Sequence, residues 1–276
     1  MIKEFVNYLN KIKGYSDNTG KAYEKDLRSF VLFVKANCTH QRWSEITRDD
    51  VDLYIAWQVE RGLKPMTTNR HLSAISSLYD YMKRQGYQVE NPARYESRRK
   101  VGDRIPNTIP TNILRKAMET SQGTIHLMLC TLCQTGVRLQ EMLDIRKCDL
   151  DIMNNAIRIQ GKGMKERLVY VNEELMSKLC TFSTYRKAME PIFKGWSQRE
   201  VRTSLYEILR PLGTAPQLSP HAIRHTFATE VAKQGSNVTT LAVMMGHKSI
   251  KTTQKYIDLA QNNISSTYTR YLSEIA

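Results

Sequence analysis

Apolar side chains recur along the first hundred residues with helical spacing. Ile2–Lys13 is amphipathic and stops at Gly14, a residue suited to a left-handed C-terminal cap. Between Ser16 and Ala36, Tyr23, Leu27, Phe30, Val31 and Val34 draw one stripe down a helix. Thr47-Arg48-Asp49-Asp50 has the form of a capping box with Asp in the usual Glu place, and it opens a helix through Val51, Tyr54 and Ile55 to Gly62. A fourth helix, beginning near Thr67, sets Leu72, Ile75, Leu78, Tyr79 and Met82 on one side and stops at Gly86. Four amphipathic helices with short connections predict a small bundle.

The pattern then breaks. Asn91-Pro92 ends the bundle, and Arg94, Arg98, Arg99, Lys100 and Arg104 crowd a segment closed by Pro106 and Pro110. Low apolarity, prolines and clustered charge mark a linker, either a solvated hinge or a basic strap along phosphates. From Thr111 helical spacing returns with one interruption. Ala156–Gln160 alternates, Gly161-Lys162-Gly163-Met164 reads as a turn, and Arg167–Val171 continues as a second strand. Helices follow at Glu173–Phe182, Gln198–Leu209, Pro220–Gln234, Val238–Met245 and Ser249–Leu259, with a short terminal one at Ile264–Ile275. The fold expected is mainly α with a small β-hairpin, in two domains: 1–100 and 109–276, with 101–108 as the basic linker.

Composition narrows the partners. The 276 residues carry 41 Lys/Arg against 27 Asp/Glu, a net charge of +14, which favours polyanions. The excess is spread: residues 1–100 hold 18 basic and 12 acidic groups, the remainder 23 and 15. Two modules gripping one long polyanion fit that distribution. No apolar run approaches a membrane span, and the amphipathic N-terminus, with Glu4 in it, lacks a cleavage pattern. The expectation is a cytoplasmic, nucleoid-associated protein without membrane contact. Five cysteines lack disulfide spacing. Cys130-x-x-Cys133 sits in an apolar helix with no second ligand pair, so buried thiols are expected rather than zinc.

Four stretches of the second half could carry chemistry. In Thr135-Gly136-Val137-Arg138-Leu139-Gln140-Glu141, Gly136 breaks a helix and the next one puts Arg138 beside Glu141. By itself that is a surface ion pair of small energetic weight. Gly161-Lys162-Gly163 lets a lysine project from the hairpin tip. In Pro220–Phe227, Ser219 caps a helix whose first position is Pro220; His221 and Arg224 share a face near its N-terminus, where anions are favoured, while His225 lies to one side in a structural position. Met245-Gly246-His247 precedes Gln254-Lys255-Tyr256. Each is a weak signal alone.

Taken in order, these stretches resemble the tyrosine recombinases, or phage integrase family. TGVRLQE is similar to the family's first arginine box, GKG to its hairpin lysine, HAIRHTFAT to its His-x-x-Arg box, MGH to its third basic position (commonly leucine-glycine-histidine) and QKY to its nucleophile. Ser16–Tyr23, TTNRHLSAI from Thr67 and Asn91-Pro92 resemble its SAM-like core-binding domain.

That resemblance implies a DNA strand-exchange enzyme. Tyr256 would attack a phosphodiester, leaving a 3′-phosphotyrosyl link and a free 5′-hydroxyl, so that bond energy is kept for rejoining through a Holliday junction without ATP. Arg138 and Arg224 would stabilise the pentavalent phosphorus, Lys162 would protonate the departing oxygen, His221 would assist proton transfer, His247 would bind the phosphate and Glu141 would orient the arginine box. It implies no metal and no other cofactor. Thr67, Arg70, Arg98, Arg99 and Lys100 would meet DNA. The expected partner is double-stranded DNA with short inverted-repeat core sites, held by a homotetramer or with a paralogous recombinase, with residues 264–275 docking on a neighbour or packing on their own domain. With no arm-binding module before the clamp, the simple Xer, integron or invertase sort is expected; integration, inversion and dimer resolution share these residues. A type IB topoisomerase and a non-catalytic DNA-binding regulator are the alternatives.

Overall fold

The computed structural model describes residues 1–39, 42–94, 98–100, 102, 106–161, 166–213, 218–247 and 249–261. The chain divides into two compact units, Met1–Asp103 and Arg104–Ala276.

The first unit is a bundle of α1 (Ile2–Lys11), α2 (Asp17–Asn37), α3 (Arg48–Glu60) and α4 (Pro65–Arg84). Local chemistry sets the ends. Ser16 caps α2 by accepting the Thr19 N–H, and Thr47 and Asp50 form the reciprocal box that opens α3, with Asp50 Oδ2 accepting the Thr47 N–H at 2.8 Å. Helix α4 starts at Pro65, two residues before Thr67, because proline at the first helical position gives up an N–H that has no partner there. Its stripe Leu72, Ile75, Leu78, Tyr79 and Met82 is buried as spaced. On α2, Phe33 joins Leu27, Phe30 and Val34 in the core, and Val31 is only partly buried: the stripe is rotated toward Tyr54 and Trp57, whose rings lie 5.3 and 5.2 Å from Phe33.

This bundle also buries a polar network. Asp26 Oδ1 accepts from Arg70 Nη2 at 3.1 Å and lies 3.2 Å from His71 Nε2; His71 Nδ1 meets the Tyr54 hydroxyl at 2.7 Å, and Gln58 donates to that hydroxyl. Burial lifts the Asp26 carboxyl to about 6, against the pull of Arg70, and pushes His71 down to about 4.

The second unit is built on α6 (Gly123–Thr135), apolar nearly all round. Around it pack α5 (Thr111–Thr120), α7 (Leu139–Leu143), α8 (Glu173–Phe182) and α9 (Gln198–Leu209), with the antiparallel sheet β1 (Leu150–Asp151), β2 (Ala156–Gln160) and β3 (Glu166–Tyr170). Strand β1 is an addition to the expected hairpin; two residues are too few to show an alternation. Leu132, Ile157, Ile192 and Ile223 are fully buried, each contributing about 1.5–3 kcal/mol on leaving water. Helices α10 (Pro220–Lys233), α11 (Val238–Met245) and α12 (Lys251–Gln261) form a second cluster of Ala228, Ala232, Leu241, Met245 and Tyr256. Cys130 and Cys133 are free thiols of α6, and burial pushes Cys133 up to about 12. Among the described residues no helix is long and apolar enough to cross a membrane. Residues 264–275, expected as a terminal helix, lie outside the described residues.

Candidate active site

Where α6 ends, Gly136 takes φ 59°. A side chain there would be strained and would collide with the Phe227 ring of α10. The close approach brings two arginines onto one place. Arg138 is the N-cap of α7, and its guanidinium Nη1 donates to Glu141 Oε1 at 2.7 Å; Arg224, from the first turns of α10, donates through Nη1 to the Gly136 carbonyl at 2.6 Å. Ser219 caps α10, accepting the Ala222 N–H at 3.2 Å, and Pro220 fills its first position as expected.

The turn between α11 and α12 closes the cluster. Arg224 Nη2 donates to the Met245 carbonyl and to His247 Nε2, the latter at 3.2 Å. Since arginine can only donate, His247 Nε2 is the acceptor, so its Nδ1 carries the proton toward Thr253 Oγ1 at 2.8 Å. Arg138 Nη2 reaches the Gly246 carbonyl at 3.3 Å. The Tyr256 ring lies 6.4 Å from that of His247, and its hydroxyl is 2.5 Å from His225 Nδ1; the His221 ring stacks edge-on to His225 at 4.2 Å. Arg138 and His221 face solvent, whereas Arg224 and Tyr256 are 3% and 2% exposed.

Electrostatics keep the imidazoles neutral. Burial, reinforced by neighbouring cations, pushes His225 down to about 3 and His247 to about 4, and lowers His221. Burial raises the Tyr256 phenol, while Arg224 and Arg138 pull it back down. Burial together with Arg138 brings Arg224 down to about 10, still a cation at neutral pH. Burial alone would raise Glu141; hydrogen bonds from Arg167 and Arg138 outweigh it and hold the carboxyl below its ordinary range.

The structure therefore gathers Arg138, Glu141, His221, Arg224, His247 and Tyr256. Lys162 lies outside the described residues. Arg138 and Glu141 depart from the exposed pair that their spacing alone suggests, because Glu141 is 8% exposed. Two neighbours escape sequence reasoning. His225, set aside as structural, holds the tyrosine hydroxyl. Arg167 of β3 donates to Glu141 Oε2 at 2.7 Å and to the Met244 carbonyl at 3.0 Å. Its signal was available: the alternation that turns Val169 and Val171 inward turns Arg167 inward too. Among the described residues no cluster of three or more His, Cys, Asp or Glu is arranged for a metal ion.

In the first unit, Thr67 and Arg70 lie on the opening turns of α4. The start of the basic segment is fastened to the same helix: the Asn69 amide donates to the Arg99 carbonyl and accepts the Arg99 N–H, both at 2.9 Å, and Arg98 Nη2 donates to Ser73 Oγ at 3.2 Å. Lys100 is exposed.

A helical bundle followed by a unit that pairs buried guanidinium groups with histidines and a tyrosine defines the tyrosine-recombinase class. The chain belongs to the phage integrase family, whose profile matches residues 108–263, while that of the phage integrase N-terminal SAM-like domain matches residues 2–86. It is a site-specific recombinase, an enzyme that breaks and rejoins DNA. Similar proteins include tyrosine recombinase XerC of Listeria innocua, 27% identical over 98% of this chain and 96% of the relative. XerD of Oceanobacillus iheyensis is 25% identical over 98% and 97%. Among solved structures, the XerH recombinase bound to palindromic difH substrate has a TM-score of 0.76 at 18% identity, over 98% of this chain and 85% of that one.

Proposed function

We propose that Tyr256 is the nucleophile of a two-step DNA transesterification. Its phenolic oxygen forms a bond to phosphorus as the bond to the 5′-oxygen breaks. The phenolic proton passes to solvent with the assistance of His221, whose ring lies 4.2 Å from that of His225, the partner of the hydroxyl, and Lys162 returns a proton to the departing oxygen. Rejoining runs the same steps backward with a different 5′-hydroxyl. Arg138 and Arg224 hold the non-bridging oxygens, with donors left over from their main-chain bonds, and His247 binds the phosphate beside them. Glu141 orients Arg138. The observation that carries this reading is geometric: Arg138, Arg224 and His247 converge on the turn between α11 and α12, and the Tyr256 ring lies 6.4 Å from that of His247, so cations and phenol share one place where a phosphate would be held. Phosphate contacts from Thr67, Arg70, Arg98, Arg99 and Lys100 fit the placing of the first two on α4 and the bonding of Arg98 and Arg99 to that helix.

The substrate is double-stranded DNA with short inverted-repeat core sites. Similarity to Xer recombinases, and to XerH solved on difH DNA, supports that choice. The working assembly is a tetramer on two synapsed duplexes, either of one chain or shared with a paralogous recombinase, in the cytoplasm at the nucleoid. Residues 1–100 form the clamp, 101–108 the linker and 109–276 the catalytic domain.

The test uses a duplex selected from random-sequence DNA by the Tyr256→Phe protein, then nicked beside the cleavage position to trap adducts. Wild type should form a covalent adduct and, on intact sites, four-way junctions; Tyr256→Phe should bind equally and form none. Adducts on the Phe variant would assign the chemistry to another nucleophile.

A further inference from the structure

Arg167 sits where three elements meet, and nothing in the reaction so far uses it. Its side chain is 8% exposed. It leaves β3 directly opposite Ile159 of β2, whose own side chain is buried, so the guanidinium enters the protein rather than solvent. There Nη2 binds Glu141 Oε2 and Nε binds the Met244 carbonyl, at the end of α11. Glu141 Oε2 also accepts the Arg138 N–H at 2.9 Å, and Oε1 takes the Arg138 guanidinium. Gly246 makes the approach possible: it has φ 60°, and a Cβ on it would stand 2.8 Å from Arg167 Nη1.

We propose that Arg167 is a positioning residue for strand cleavage, which locks the β2–β3 hairpin and the α11–α12 turn to the arginine box through Glu141. The inference rests on the reading that Arg138 and His247 meet the scissile phosphate. A guanidinium can do this because its planar fork holds two acceptors at once in fixed directions; an ammonium is a point charge on a flexible stem and fixes neither direction. Without it, Glu141 keeps only Arg138 as partner, the Met244 carbonyl loses its donor, and Arg138 and His247 become free to drift relative to each other. The charged and titratable groups around this pair are Arg138, Arg224 of α10 and His247 of the turn.

Single-turnover adduct formation on the nicked duplex, from pH 5 to pH 9, tests the proposal in the full chain. Arg167→Met should bind the duplex as wild type does and form adduct about 10- to 100-fold more slowly, the scale of a reacting group misplaced by an ångström. It should also lose rate toward the acid end, because burial pushes the Glu141 carboxyl upward and one of the two guanidinium groups that oppose this is gone, so acid releases Arg138 more readily than in wild type. Adding Glu141→Gln should remove that acid loss. Arg167→Lys should restore the pH profile but only part of the rate. Gly246→Ala, which crowds the guanidinium without touching a charge, should slow the reaction similarly; it and the Lys variant carry the test where Arg167→Met fails to fold. Wild-type rate and profile in Arg167→Met, or one uniform slowing at every pH, overturns the proposal. Absence of adduct with the wild-type protein, or adduct with Tyr256→Phe, overturns the underlying reading instead.

Discussion

Both units bury a carboxylate beside an arginine, and they do it in opposite ways. Asp26 uses one oxygen, shared between the half-exposed Arg70 and His71, and leaves the other without a partner; burial shifts acid and imidazole toward their neutral forms. Glu141 uses both oxygens, and three arginines gather where it is the one carboxylate paired with them among the described residues. The first region keeps its imidazole neutral and sets its carboxyl against a single arginine. The second holds two buried guanidinium groups and the half-exposed Arg138 against one carboxylate, with main-chain carbonyls as the remaining acceptors, a surplus that suits the phosphate of the proposed reaction. Polar burial for structure and polar burial for reaction differ in that remainder.

Substitutions should separate the two. The largest effect belongs to Arg224→Lys, which keeps the charge and loses the fork: single-turnover cleavage should fall about 100- to 1,000-fold with the first unit's stability unchanged. A smaller loss would mean that charge alone suffices. Next is Glu141→Gln, whose amide can accept at only one atom where the carboxylate accepts at two. Chemical denaturation should show a loss of about 3 kcal/mol in the second unit, and a change under ~1 kcal/mol would contradict the bonding described.

Acid should also distinguish the units. His225 and His247 have folded-state values below the ordinary imidazole, near 3 and 4, so the unfolded chain protonates first. Their stabilisation is complete above about pH 6.5 and is lost as pH falls from there, by up to about 1.4 kcal/mol per pH unit for each group. In the first unit His71 acts in the same sense. Asp26, raised to about 6, acts in the reverse sense: it favours the fold as pH falls through 6 and nearly cancels His71. Segment-resolved hydrogen exchange at pH 7 and pH 5 should therefore show the second unit weakening more; equal weakening would remove the distinction. The smallest effect is Asp26→Asn, within about 1 kcal/mol by thermal melting, since the amide oxygen can keep both contacts and the ion pair it gives up is with the half-exposed Arg70.

Much of this was legible in residue order. The caps at Thr47 and Ser219, the break at Gly136 and the limits of α8 and α9 follow from local chemistry, and local chemistry is what a short window contains. The arginine, histidine and tyrosine stretches were legible through family resemblance; their juxtaposition was not, because Gly136 against Phe227, 91 positions apart, is a tertiary contact. Glu141 shows the limit well. An Arg and a Glu three apart look the same whether water or Arg167 occupies the far side of the carboxylate. His225 was discounted because its neighbours His221 and Arg224 define another face, and only the docking of α12 shows that its own face is filled by Tyr256.

The placement of Tyr256 has a mechanical consequence. Its ring is mortar between α10, α11 and α12 as well as the bearer of a hydroxyl, and at 2% exposure it cannot touch a duplex where it stands. If Tyr256 is the nucleophile proposed above, delivering it means withdrawing a wedge, so the packing of these three helices and the proposed cleavage would share one energy balance.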